Sequence, residues 1–461
     1  MKTIIGGSLA SLSAATGAAL KGIPSLLYLP AESRGSGFIS PMIGGCRVDL
    51  GARSTELSLG ASARLQDYRP GHARAHSARI YDFITRGLGV PLVELPQAQL
   101  SFRGRLAPDF LATLDLSSLR DLLSDDEQAR MSRELESCVW TPDAPLELAS
   151  LRSQGPLFTE LFVRGRTEKL LPGGWRDVAA ALRNKLWATM LYPSTLQGGL
   201  EGRADRAREP LRFFHPQGGF MGPVVERMLE IIERSPDVEC RELSGDAVLS
   251  PAGSLRQRHG TVDVAPSPYI GLSLHQLLSL AGVTAELETM QLSVGWLEVD
   301  RRTVKVRAAF VNVYDAQNPV FRVGFGGHSP NPDRCVLSVE GRAGCDERRL
   351  RQGCIDGGIL SEEGSGRWLR VQTVSMPKPS ARNLRLIEEA KRRWSELGPN
   401  YLGSCLDLRY DTFNEQILQG LQAIESAEGL RSRSGGSGGP THQGVLPSTV
   451  DETREVRAAG S

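Results

Sequence analysis

TIIGGSLASLSAATGAALKGIPSLLYLPAE, residues 3–32, decides the fold. Thr3-Ile4-Ile5 is a short apolar run, residues 12–21 are rich in small helix formers, and PSLLYL (24–29) is a second apolar run. The order is strand, glycine turn, helix, strand. Such a βαβ unit aims a helix N-terminus at a phosphate group. Gly6, Gly7, Ser8, Leu9, Ala10 and Ser11 stand where a dinucleotide fingerprint would, with Gly6 at its first glycine, Ser8 at the second and Ser11 at the third. The second glycine lets backbone approach a pyrophosphate and the third lets helix and strand pack closely. Ser8 is expected to offset its bulk by hydrogen-bonding a phosphate oxygen, and Ser11 to be absorbed by a slight helix shift.

The same N-terminus has a rival reading as a secretory signal. Gly6, Gly7, Gly17 and several serines interrupt the apolar stretch, and a second strand follows at βαβ spacing, so the nucleotide-binding reading is preferred. No other run is long and apolar enough to span a bilayer.

The 461 residues suffice for two or three packed parts, and a formal net charge of +1 provides no general field for nucleic acid or anionic lipid. The seven cysteines form no C-x-x-C pair, so reduced thiols and a cytoplasmic location are expected. Cys335, Cys345 and Cys354 fit no common zinc spacing. His72 and His76 have i, i+4 spacing but lack an acidic third ligand nearby, and no metal site is expected. There is no nucleophile elbow and no Walker loop.

Outward from the opening unit, residues 37–60 (GFISPMIGGCRVDLGARSTELSLG) read as short strands and turns. From 72 to 200 the pattern is helical, with apolar spacing of three and four over 79–86, 119–138 and 175–191. Ser124-Asp125-Asp126-Glu127 marks a helix start that divides the second of these. Residues 199–211 read as an exposed connection. A helix is expected over 224–234, strands over 238–243 and 261–265, a β-rich stretch over 289–375 and a basic amphipathic helix over 382–396. Residues 431–439 read as a structured glycine turn, with helical character returning over 440–459.

In this order the segments resemble the flavin-dependent amine oxidase superfamily, including its protoporphyrinogen oxidase-like and UDP-galactopyranose mutase-like branches. The resemblance is carried by the opening unit, by RGSG (34–37) followed by VDLGAR (48–53), and by FVRGRTEKLL (162–171), which is similar to the family's YTEK helix segment. FHPQGGFMGPVVERML (214–229) is similar to its second glycine turn and VDVAPSP (262–268) to the strand that closes the cofactor domain. YDAQNPVFRVGF (314–325) and CVLSVE (335–340) are similar to strands of the substrate sheet. Arg433-Ser434-Gly435-Gly436 is similar to the last cofactor-binding turn. The departures lie at the cofactor: Ser8 and Ser11 replace glycines, Pro30 stands where an acid would bind ribose, and Arg166 replaces a tyrosine.

The resemblance implies an α/β protein. Its Rossmann-type FAD-binding domain would be discontinuous (1–70, 205–288 and 398–461). Its substrate domain would combine a helical part (71–204) with a mixed β-sheet (289–397). It implies FAD contacts from the fingerprint residues Gly6, Gly7, Ser8, Leu9, Ala10 and Ser11. Further contacts would come from Glu32, Arg34, Gly37, Gly51, Ala52, Val248, Arg433, Gly435 and Gly436. Arg53 would stand beside the flavin ring as a cation, or else be a surface arginine in a turn. Arg322 would point into the cleft to hold a carboxylate or phosphate, or else be a solvated strand residue. Arg164 and Lys169 would bind an anionic substrate, or form a solvated face. Phe220 would line the cleft.

Three functional readings follow. One is FAD-dependent oxidation of a small molecule at a C–N or C–C bond, in a specialised biosynthetic setting. The second is a non-redox, flavin-dependent mutase acting on an anionic sugar-type substrate. The third is a flavin-free relative that binds a ligand or partner protein.

Overall fold

A computed structural model describes residues 1–32, 34–57, 76–113, 115–176, 190–203, 211–362, 366–405 and 412–433, with 178, 179, 182, 186 and 188 from the stretch between. Residues 1–424 form one compact unit; the described part of a second unit, 425–433, is the end of the helix Phe413–Arg433.

The opening strand Lys2–Ile5 lies at the centre of a five-stranded parallel sheet. Ser25–Pro30 and then Val238–Leu243 flank it on one side, Tyr269–Ile270 and then Asn400–Tyr401 on the other. Ile4 pairs with both Leu27 and Tyr269, so the apolar run is covered along both edges. The helix Leu9–Leu20 is buried from Leu9 to Ala18 with little difference between its faces. Small side chains allow this, because the sheet covers one side and the Phe413–Arg433 helix crosses the other. A Cβ at Gly420 would collide with the Ala10 carbonyl and with Ser13 and Ala14. The turn before the helix is equally close, since a Cβ at Gly6 (φ +125°) would collide with the Gly271 carbonyl.

A seven-stranded sheet forms the other large layer. Its order is Gly366–Pro377, Thr289–Asp300, Arg334–Arg342, Val320–Gly324, Phe310–Val313, Gln99–Phe102, Arg105–Pro108. All its pairings are antiparallel except that of Phe310–Val313 with Gln99–Phe102. The β-rich reading of 289–375 holds. The two outer strands, however, come from the stretch expected to be helical, and form a hairpin turned by Arg103 (φ 52°) and Gly104 (φ 69°). Two successive positive φ values suit the right-handed twist of the strands they join.

Ser124 caps the helix Asp125–Glu136 in a reciprocal capping box with Glu127, after the separate short helix Leu119–Leu122, as its sequence predicts. The helix Ala381–Arg392 corresponds to the expected basic one. Gly260–Asp263 is a strand, but it belongs to a small antiparallel sheet with Val248–Leu249 and Ser254–Gln257. The strand joining the parallel sheet is instead Tyr269–Ile270, where the backbone can reach Ile4 and Ile5. All seven cysteines are free thiols. Eight of the seventeen residues of the expected 175–191 helix, His72, and residues 434–461 lie outside the described residues. No described helix is long and apolar enough to cross a membrane.

Candidate functional site

The turn between the first strand and helix is closed by its own hydroxyls. Ser8 is the N-cap, and its Oγ accepts from Ser11 N at 3.1 Å. Ser11 Oγ donates to the Gly271 carbonyl at 3.0 Å, which leaves Ser8 to donate to Ser11 Oγ at 3.1 Å. Ser8 N donates to the same carbonyl at 3.1 Å. The two serines therefore fill the space a side chain at Gly271 would occupy. The Ser8 hydroxyl thus caps the helix and contacts Ser11.

Two backbone amides of the turn region meet acceptors from the Phe413–Arg433 helix. Ala10 N donates to Gln416 Oε1 at 3.4 Å, and Gly403 N to Gln419 Oε1 at 2.7 Å. Gly403 (φ +59°) follows the strand Asn400–Tyr401, so the glycine turn between sheet and last helix starts here. Arg433 ends that 21-residue helix, and Gly435 and Gly436 lie outside the described residues. Gly35 N donates to Gly7 O at 2.7 Å, docking the arginine-glycine turn against the opening one. Glu32 and Arg34 are exposed just past the second strand. Pro30, Leu243, Ala247, Leu272 and Gln276 line a small cavity of about 30 Å³ at the carboxyl ends of these strands.

A second cluster lies between the parallel sheet and the seven-stranded sheet. Gly51 adopts φ +96° directly above Glu340, and Ala52 rests against Gly324, where a Cβ would come within 2.6 Å of it. Ala52 N donates to Glu340 Oε1 at 2.7 Å. Arg322 Nη2 donates to both oxygens of the same carboxylate, at 3.0 and 2.9 Å. Arg322 and Glu340 are cross-strand partners, both less than a tenth exposed, so this is a buried ion pair with a backbone donor. Arg53 lies over the Phe38 ring at 5.0 Å, with Nη2 against the Gly37 backbone and Nε donating to Leu50 O at 3.1 Å. Its guanidinium is held below the ordinary arginine value, first by burial. The Arg322 charge acts in the same direction and Glu340 and Asp49 oppose it.

Asp49 completes the junction. Ser40 Oγ donates to its Oδ1 at 2.6 Å, and Met221 N at 3.0 Å, while Gly222 N donates to Ser40 Oγ at 2.8 Å. Asp49 and Ser40 thus cap the helix Gly222–Arg234 from another segment. Burial raises the Asp49 carboxyl to about 6, against these hydrogen bonds and the Arg53 and Arg47 charges. His215 is buried against the Arg53 carbonyl, and its desolvation keeps its value below the usual one.

The structure therefore brings Gly37, Gly51, Ala52, Arg53 and Arg322 together, and Gly6 to Ser11 separately at the opening turn. Other expected residues are elsewhere. Lys169, 1 % exposed, donates to the Val313 and Val320 carbonyls at 2.8 Å each, and burial lowers its ammonium far below the ordinary value. It clamps the end of a hairpin. Arg164 is exposed and ion-paired with Glu160 one turn back on its own helix. Phe220 is half-buried beneath the Arg47 guanidinium at 4.5 Å. Val248 is a strand residue of the small antiparallel sheet. Sequence reading missed Asp49, Glu340, His215, Gly403, Gln416 and Gln419. The VDL-GAR segment already marked Asp49, while Glu340 needed the strand register to be seen.

No family model matches this chain, and no curated protein does. Solved structures do. A reduced UDP-galactopyranose mutase aligns at 16% identity over 93% of each chain, with a TM-score of 0.66. A putative protoporphyrinogen oxidase from Exiguobacterium sp. 255-15 aligns at 17% identity over 92% of this chain and 98% of that one, with a TM-score of 0.57. A redesigned putrescine oxidase aligns at 12% identity over 93% and 98%, with a TM-score of 0.50. With its central first strand, buried small-residue helix and apposed mixed sheet, this chain shares the overall fold of these solved structures.

Proposed function

We propose that the protein binds FAD along the carboxyl edge of its parallel sheet and oxidises a small molecule held against the seven-stranded sheet. The observation that carries this reading is the junction cluster: Arg53 stands partly exposed between the two sheets, backed by the Arg322–Glu340 pair. The donor set at the opening turn fits a diphosphate. The amides of Ala10 and Gly403 each point at a neutral carbonyl oxygen from a glutamine, an acceptor that a phosphate oxygen replaces in kind. Gly6, Gly7 and Ala10 would hold the diphosphate, Glu32 and Arg34 the ribose end, and Gly37, Gly51 and Ala52 the ring end.

When bound, FAD supplies a hydride acceptor, so the substrate carbon gives up two electrons with its hydrogen, and the adjoining nitrogen or carbon gives a proton to solvent. The chain's own residues supply position and charge. Arg53 presents a poorly hydrated cation beside the ring end, where negative charge collects during transfer. Arg322 fixes the Glu340 carboxylate, and through Ala52 N the carboxylate fixes the 50–53 turn. Asp49 and Ser40 tie the same turn to the Gly222–Arg234 helix. His215, neutral near pH 7, braces the Arg53 backbone. The non-redox alternative relied on Arg322 and the 164–169 basic cluster to grip a diphosphate; the pairing of Arg322 with Glu340, of Arg164 with Glu160 and of Lys169 with two backbone carbonyls favours the oxidase reading over it.

Purified protein equilibrated with FAD and freed of excess cofactor tests the reading. It is expected to carry the visible flavin bands, and to lose them when a candidate amine is added without oxygen. A protein that remains colourless selects the flavin-free reading.

A further inference from the structure

The Phe413–Arg433 helix is fixed in register against the opening helix. Gly420 touches the backbone of Ala10 and Ala14, Tyr269 OH donates to Ala423 O at 2.8 Å, and Thr55 Oγ1 donates to Asn414 Oδ1 at 2.5 Å. One turn before Gly420, this register carries Gln416 onto the first turn of the opening helix. Gln416 is 4 % exposed. Its oxygen accepts from Ala10 N, and a Cβ at Gly403 would lie 3.3 Å from that oxygen and 3.5 Å from Ser8 Oγ. Only the oxygen of the amide can accept from an N–H, so the donor fixes which end of Gln416 faces the turn. The carbonyl oxygen thus sits at the meeting point of the helix N-terminus, the fingerprint serine and the last glycine turn.

We propose that Gln416 occupies the diphosphate seat of the cofactor-free protein and sets its affinity, acting as an internal stand-in for a phosphate oxygen. The inference rests on the FAD reading. Binding a diphosphate there requires the Gln416 side chain to rotate away and give up Ala10 N, while the helix stays in place. The amide is neutral, so the exchange favours a charged phosphate oxygen, but the lost contact weakens binding. A negative charge at the same position would repel the ligand outright.

The test measures FAD and ADP binding to the full chain, by fluorescence titration and calorimetry, for the wild type, Gln416→Ala and Gln416→Glu. The thermal midpoint of each ligand-free protein is measured alongside. Gln416→Ala is expected to bind both ligands roughly three- to tenfold more tightly, with a lower ligand-free midpoint. Gln416→Glu is expected to bind both at least about tenfold more weakly. Binding by Gln416→Ala where the wild type shows none also supports the proposal. If the wild type binds FAD and Gln416→Ala binds it equally or more weakly, the proposal is overturned and the FAD reading stands. If neither protein binds FAD or ADP, both are overturned.

Discussion

Asp49 carries the clearest pH signature at the scale of single residues. Its folded value of about 6 lies above the ordinary carboxyl value near 3.9. The folded protein therefore holds a proton that the unfolded chain releases between about pH 4 and 6. The stabilisation is full below about pH 4 and is lost as pH rises through 6, a difference of about 3 kcal/mol. Asp49→Asn is expected to flatten the pH dependence of denaturant unfolding between pH 4 and 7; an unchanged slope would show that Asp49 does not titrate this way. Arg53 makes a second prediction. If its cation stabilises charge at the ring end, Arg53→Met lowers the midpoint potential of bound FAD by about 30 mV or more, read by dye equilibration. An unchanged potential would remove Arg53 from the surroundings of the ring. Gly7→Asp puts a side chain and a negative charge at the opening turn, next to the Gly35 contact, and is expected to abolish flavin retention. Equal colour in wild type and variant would misplace the diphosphate.

At the scale of elements, the crossing of the first and last helices depends on Gly420. A methyl there meets backbone atoms that cannot rotate away, so Gly420→Ala is expected to destabilise by about 1–3 kcal/mol despite alanine's better helix propensity. A neutral or stabilising result in urea unfolding would mean the contact is looser than described. The opening βαβ unit was legible because two apolar runs and a small-residue helix repeat at the spacing its geometry demands. The Ser124 cap was legible because the capping box is local. The Gln99–Pro108 hairpin was not, because strands of four residues are too short for the alternation of Gln99-Leu100-Ser101-Phe102 to stand out in a stretch of helical spacing. The glycine turn expected at Arg433–Gly436 has its glycines outside the described residues. The turn at Gly403 was not legible, because it follows a strand of two residues, Asn400–Tyr401, too short for any period to show. Gln416 was out of reach for another reason: its partner is 406 positions away, so only the folded chain brings the pair together.

At the scale of the whole molecule, two sheets of different construction meet at one polar junction. The parallel sheet presents the carboxyl ends of its strands, where α/β folds bind nucleotides. The mixed sheet presents the Arg322–Glu340 pair, and the 49–53 turn bridges the two through Ala52 N, Trp296 Nε1 to Asp49 O, and the Asp49 cap. The same overall fold recurs in the similar solved structures at identities of 12–17%. On the proposed reading, the junction and the opening turn together seat FAD. Equilibrium binding of FAD to the purified chain, followed by its visible spectrum and by the thermal midpoint, tests this most directly. A bound chromophore is expected and, at a hundredfold excess over Kd, stabilisation of about 2.7 kcal/mol. A protein that stays colourless, with a midpoint indifferent to FAD, would contradict it.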